Sequence, residues 1–128
     1  MKIKHINLNF SKANTDKAAK IKHISLVKNK EIGYYVAQVD NFVQAHYHKK
    51  GDEIYHILKG RGLIYLGRLT KNLVRWERPK KIYKDDVIFV PAGYAHCLMN
   101  SRKEPLVLAF ICPPLHLSKD RKVLNNPK

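Results

Sequence analysis

The sequence predicts an all-β domain. Three observations carry that expectation. Apolar, β-branched and aromatic residues come in short runs of five to eight. Turn-forming groups separate the runs: Asp40-Asn41, Lys59-Gly60-Arg61 and Pro91-Ala92-Gly93. No stretch repeats its apolar residues with the helical period. Many short strands at such spacing make a sandwich or a barrel.

In chain order, Ile3, Ile6, Leu8 and Phe10 outline a short strand over residues 3–10. Residues 11–20 are polar and loop-like, with one helical turn expected around Ala18-Ala19. IKHISLV at 21–27 is a second strand, and IGYYVAQV at 32–39 a third. FVQAHYH at 42–48 follows the Asp40-Asn41 turn. EIYHIL at 53–58 and GLIYLG at 62–67 flank Lys59-Gly60-Arg61, the signal of a short hairpin. LVRWE at 73–77 is a weaker strand, limited by Pro79. DVIFV at 86–90, AHCLMN at 95–100 and PLVLAFIC at 105–112 complete eight to ten strands. Pro113-Pro114 ends regular pairing, and residues 115–128 read as a polar tail, surface-lying or frayed.

The chain has 128 residues, the size of one domain. Its 25 Lys and Arg against 10 Asp and Glu leave a net charge of +15. The lysines are scattered, and the longest basic runs are pairs, Lys49-Lys50 and Lys80-Lys81. No recognition helix, zinc finger or RNA-binding aromatic motif accompanies them, so no nucleic-acid partner is expected. No apolar stretch approaches the roughly 20 residues that span a bilayer, so no membrane partner is expected either. The N-terminus does not read as a signal peptide. Cys97 and Cys112 lack paired spacing and are expected as reduced, buried thiols of a cytoplasmic protein.

Two stretches carry chemistry. In HYHKKGDEIYHILKGRG, His46 and His48 are two residues apart, so a strand turns both to one face, and Glu53 follows five residues later. In PAGYAHCLMN, Pro91 and Gly93 turn the chain into a strand where His96, Leu98 and Asn100 share a face and Cys97 and Met99 take the other. Imidazoles and a carboxylate facing one cavity form a candidate transition-metal site.

Together these stretches resemble the cupin superfamily. The first motif of that superfamily, HxH, four residues, Glu, six residues, Gly, is met by His46, His48, Glu53 and Gly60. The second, Pro-x-Gly, two residues, His, three residues, Asn, is met by Pro91, Gly93, His96 and Asn100. At about one in twenty per position, eight such matches arise by chance on the order of once in 10¹⁰ frames. Each family motif opens on a glycine where this chain has Asp40 and Asp85, and Asp tolerates turn geometry and positive φ better than most residues. The resemblance covers residues 39–114 and implies a double-stranded β-helix, the jelly-roll barrel. It implies one divalent transition metal (Fe, Mn, Ni or Zn) held by His46, His48, Glu53 and His96, with a small-molecule substrate, possibly anionic. Four protein ligands on an octahedral ion leave two open positions.

Tyr55, two residues after Glu53, should face inward with it and is the candidate catalytic side chain. His56 should point outward, and His116, beyond Pro114, should lie on the surface. Asn100 should tie backbone at a strand end. Three functions fit: a sugar or sugar-phosphate isomerase or epimerase, an Fe(II)-type dioxygenase, or a non-catalytic small-ligand binder. A homodimer is expected, with residues 3–10 in its interface.

Overall fold

The computed structural model describes residue 3, residues 8–71 and residues 73–128. Among them are twelve strands, more than the eight to ten expected. They are β1 (Asn14–Asp16), β2 (Ile21–Lys28), β3 (Gly33–Val39), β4 (Phe42–Tyr47), β5 (Glu53–Lys59) and β6 (Arg61–Thr70). Then follow β7 (Leu73–Trp76), β8 (Lys80–Tyr83), β9 (Val87–Val90), β10 (Ala95–Met99), β11 (Leu106–Cys112) and β12 (Lys122–Val123). One sheet runs β1-β2-β3-β11-β5-β9 and the other β12-β4-β10-β6-β7, with β8 also on β6. Two facing antiparallel sheets in this order make the double-stranded β-helix.

Alternation along the strands decides which residues fill the space between the sheets. On β11, Leu106, Leu108, Phe110 and Cys112 are all buried, as are Tyr55 and Ile57 on β5 and Tyr35 and Val39 on β3. His56 is exposed, as expected. Outside the first sheet, Phe10, Ile24, Leu58 and Val107 cover a second small cluster of Leu26, Val36 and Ala109.

Four expectations need correction. Residues 11–20 hold β1, paired to β2, and the turn after it is fastened by Asp16, whose Oδ1 accepts from the Ala18 and Ala19 N–H groups. Lys59-Gly60-Arg61 does not close a hairpin, because β5 and β6 belong to different sheets. The turn carries the chain across the barrel instead. Gly60 serves it at φ 84°, where a Cβ would sit 2.8 Å from the Pro105 carbonyl oxygen. Residues 115–128 are not a frayed tail: a 3₁₀ turn at Pro114–Leu117 leads to β12, which pairs with β4. His116, expected on the surface, is 2% exposed. The expected strand at 3–10 is only partly testable, because residues 4–7 lie outside the described residues; Phe10 opens a 3₁₀ turn.

Both cysteines are free and buried. Asp85, standing where the family carries glycine, has φ 75°. The Asn100 amide donates to the Val39, Asp40 and Glu104 carbonyls and ties three backbone segments, the structural role expected of it. Among the described residues no helix is long and apolar enough to cross a membrane.

Candidate metal centre

Three strand ends deliver the site. His46 lies on β4, His48 just beyond it, Glu53 opens β5 and His96 is the second residue of β10. Simple alternation would turn Val43 and His46 to opposite faces, yet both line the same cavity. The β4–β10 register explains this: His96 faces His46 and Leu98 faces Val43, so β4 carries one extra residue, a bulge. The bulge re-aims the strand and brings His46 and His48 inward. The Pro91–Gly93 turn then docks on the first motif, because the Gly93 N–H donates to the His48 carbonyl (2.7 Å). The Asp52 carboxylate accepts from the Ala92 N–H (3.0 Å). Glu53 pairs with Val90, the last residue before that turn.

The coordinating nitrogens of His46, His48 and His96 lie within 4.8 Å of one another, and all three residues are buried. Glu53 Oε1 is 3.6 Å from His96 Nε2, and Oε2 is 3.7 Å from His48 Nε2. Backbone carbonyls set the tautomers. His46 Nδ1 is 2.7 Å from the Gln44 oxygen, His48 Nδ1 is 2.6 Å from the Asp120 oxygen and His96 Nδ1 is 3.1 Å from the Tyr94 oxygen. A carbonyl only accepts, so each Nδ1 donates and each Nε2 is left with a lone pair. His48 Nε2 and His96 Nε2 are buried with no hydrogen-bond partner among the described residues. Orphaned buried acceptors are costly, and two of them aimed at one point beside a carboxylate are what a cation would satisfy. The residues therefore fit a divalent metal.

Their protonation agrees. Burial holds His46 well below the ordinary imidazole range, and burial pushes His48 down to about 4 against the opposing charge of Glu53. Both rings are neutral at physiological pH, the form that binds metal. Burial disfavours the Glu53 carboxylate, but the hydrogen bond from His116, with the His96 and His48 rings beside it, outweighs burial and keeps the group ionised. Three imidazoles and one carboxylate suit Fe, Mn, Ni or Zn.

Tyr55 is buried and lines the cavity with His46, His48 and Glu53. Burial, then the charge of Glu53 and a hydrogen bond to it, raise its phenol well above the usual range, so the hydroxyl keeps its proton. The rest of the wall is largely apolar: Ile21, Val43, Leu98, Leu108 and Phe110. Cys112 is buried next to Glu53, and burial together with that carboxylate pushes its thiol upward. Burial alone raises Cys97 to about 11. Neither thiol is poised to ionise.

The C-terminal segment completes the wall with His116, Leu117 and Arg121. The His116 ring stacks on His48, with centroids 3.8 Å apart and planes 2° from parallel. Its Nδ1 is 3.2 Å from Glu53 Oε2 and its Nε2 2.6 Å from the Lys50 carbonyl. Arg121 donates to the Asp16 carboxylate across 105 residues, and Asp120 accepts from the Lys49 and Lys50 N–H groups. Sequence reasoning missed this layer. The available signal was the apolar pair Leu115 and Leu117 around His116 in a polar tail; Leu117 does pack on the core, while Leu115 is 54% exposed.

The family model described as Cupin matches residues 11–114. Glucose-6-phosphate isomerase of Thermococcus onnurineus is 34% identical over 74 residues, 56% of this chain and 37% of that protein. The chain thus spans little more than a third of that relative's length. Among solved structures, the plu4264 protein of Photorhabdus luminescens superposes with a TM-score of 0.69 at 15% identity, covering 93% of both chains. Oxalate decarboxylase of Lactobacillus farciminis, in its formate complex, superposes with a TM-score of 0.66 at 17% identity, covering 88% of this chain and 33% of that one. Both structural likenesses speak for the fold alone.

Proposed function

The chain belongs to the cupin family, and on that premise we propose that it is a metal-dependent enzyme whose ion is held by His46, His48, Glu53 and His96. The observation that carries this reading is the pair of orphaned buried nitrogens, His48 Nε2 and His96 Nε2, beside an ionised Glu53. The first choice of reaction is isomerisation or epimerisation of a sugar or sugar phosphate. Partial similarity to a glucose-6-phosphate isomerase supports it. The bound ion would supply Lewis-acid polarisation of a substrate oxygen. Tyr55 would hold a proton at its hydroxyl inside the cavity that Glu53 also lines. The apolar wall would keep bulk water away from the reacting atoms.

The test is proton exchange at the carbon next to the carbonyl, followed by NMR in D₂O with fructose 6-phosphate and protein loaded with Fe, Mn, Ni or Zn. Exchange is expected in the wild type and absent in His96→Ala. Absence of exchange with every metal would remove the isomerase reading. A dioxygenase reading draws on a different observation: the wall residues Ile21, Val43, Leu98, Leu108 and Phe110 suit a less polar substrate than a sugar. Substrate-dependent oxygen consumption by iron-loaded protein is the outcome that favours it.

A homodimer belongs to the same proposal. Val27, Tyr34, Ile111, Ile54 and Phe89 are cross-strand neighbours in one row on the outside of the first sheet, with Val27 62% and Phe89 56% exposed. Such a row suits an isologous contact. Light scattering should give twice the 14.9 kDa chain mass, falling to that mass in Phe89→Lys.

A further inference from the structure

His116 lies outside both sequence motifs, yet it touches two members of the metal centre. Its ring covers the face of His48, and its Nδ1 meets Glu53 Oε2 at 3.2 Å. The partners of its two nitrogens are a carboxylate oxygen and the Lys50 carbonyl, and both of these only accept. His116 therefore donates in both directions. It also lies within ligand distance of His48 and Glu53. Serving as a further ligand would require breaking one of those bonds and turning a ring stacked flat on its neighbour. Its geometry is that of a group orienting ligands.

We infer that His116 is a positioning residue of the metal centre, holding Glu53 Oε2 through Nδ1–H so that Glu53 turns Oε1 toward the ion. This rests on the metal centre proposed above. Glu53 Oε1 is the oxygen that faces His96 Nε2, at 3.6 Å. With Oε2 engaged by His116, Oε1 would be the oxygen free to hold the ion. The fold is shaped to admit this contact. Gly51 has φ 79°, and a Cβ there would fall 2.6 Å from Pro113 Cγ and 3.5 Å from His116 Nε2, so a side chain at 51 would push the segment off the site. Outer groups that orient metal ligands are typically worth 10–100-fold in metal affinity.

Cobalt(II) titration of the full chain tests the role through two readouts, the dissociation constant and the visible d–d spectrum. His116→Phe keeps the stacked ring and removes both donors. His116→Asn loses the ring but places an amide N–H near the former Nδ1. The expected result is an affinity about 10–100-fold weaker and an altered spectrum in His116→Phe, with both largely restored in His116→Asn. Circular dichroism checks that each variant folds. Should His116→Phe not fold, His116→Gln takes its place, because its amide reaches the Nε2 position and misses Glu53. Wild-type affinity and spectrum in the donor-free variant would overturn the role. Equal impairment in Phe and Asn variants would also overturn it, reducing His116 to packing. A wild type that binds no cobalt would overturn the metal centre itself, a result distinct from either.

Discussion

The four candidate ligands divide into two pairs by how they are held. His46 and His96 are oriented from their own strands: each Nδ1 donates to the carbonyl two residues earlier, Gln44 and Tyr94. His48 and Glu53 are oriented from the far end of the chain, by the Asp120 carbonyl 72 residues away and His116 63 residues away. Equivalent chemistry thus has two kinds of support. A locally held ligand is in place as soon as its strand forms. A remotely held one is in place only when residues 113–123 dock across the cavity, so half of the centre depends on the weakest-paired segment of the fold. β12 is only two residues long.

The sharpest challenge to this division is loss of a ligand outright. His96→Ala should weaken metal binding by about 10²–10³-fold, roughly a quarter of the free energy typical of a four-ligand site. Competition against a chromophoric chelator measures it, and an unchanged affinity would remove His96 from the centre. Removing residues 114–128 comes next. It strips support from His48 and Glu53 but leaves the Gln44 and Tyr94 contacts intact. Metal affinity should fall about 10–100-fold without vanishing; complete loss would mean that the locally held pair cannot stand alone.

Metal removal sharpens the comparison from the other side. At 100 times its dissociation constant the ion should add about 2.7 kcal/mol, several degrees in Tm for a domain of this size. Hydrogen exchange should show residues 113–123 losing more protection on chelation than β10, because β10 is paired on both sides by β4 and β6 while β12 has β4 alone. Uniform loss across both would erase the distinction between the two pairs.

Breaking the latch of the segment is a smaller test. Asp16 and Arg121 pair with side chains 6% and 12% exposed. Arg121→Gln should lower stability by about 1–3 kcal/mol, with a few-fold loss of metal affinity transmitted through His116 and Asp120. Denaturant unfolding with and without metal separates the two effects. Smallest of all, Asp85→Gly relieves a left-handed residue that does not line the cavity. It should shift stability by no more than about 1 kcal/mol and leave metal affinity untouched.

The sequence by itself determined the barrel and the inward faces of β5 and β10, and through its two motifs it named the four candidate ligands. These rest on short-range regularities: a two-residue period, a glycine turn, fixed spacings within one strand and its loop. Even the departure at Asp85 was readable, since φ is a property of one residue and its neighbours. Where a strand goes after its turn was not. Lys59-Gly60-Arg61 looks like a hairpin, but whether β6 pairs with β5 or crosses to the other sheet is settled by what each strand buries. The bulge in β4 is likewise a register between strands about fifty residues apart, and no local pattern encodes it. His116, Asp120 and Arg121 sit in a polar stretch whose composition says surface. Only the folded barrel supplies the partners, Glu53, His48 and Asp16, that make their burial favourable, because a buried donor is stabilised by an acceptor that the chain brings to it from elsewhere.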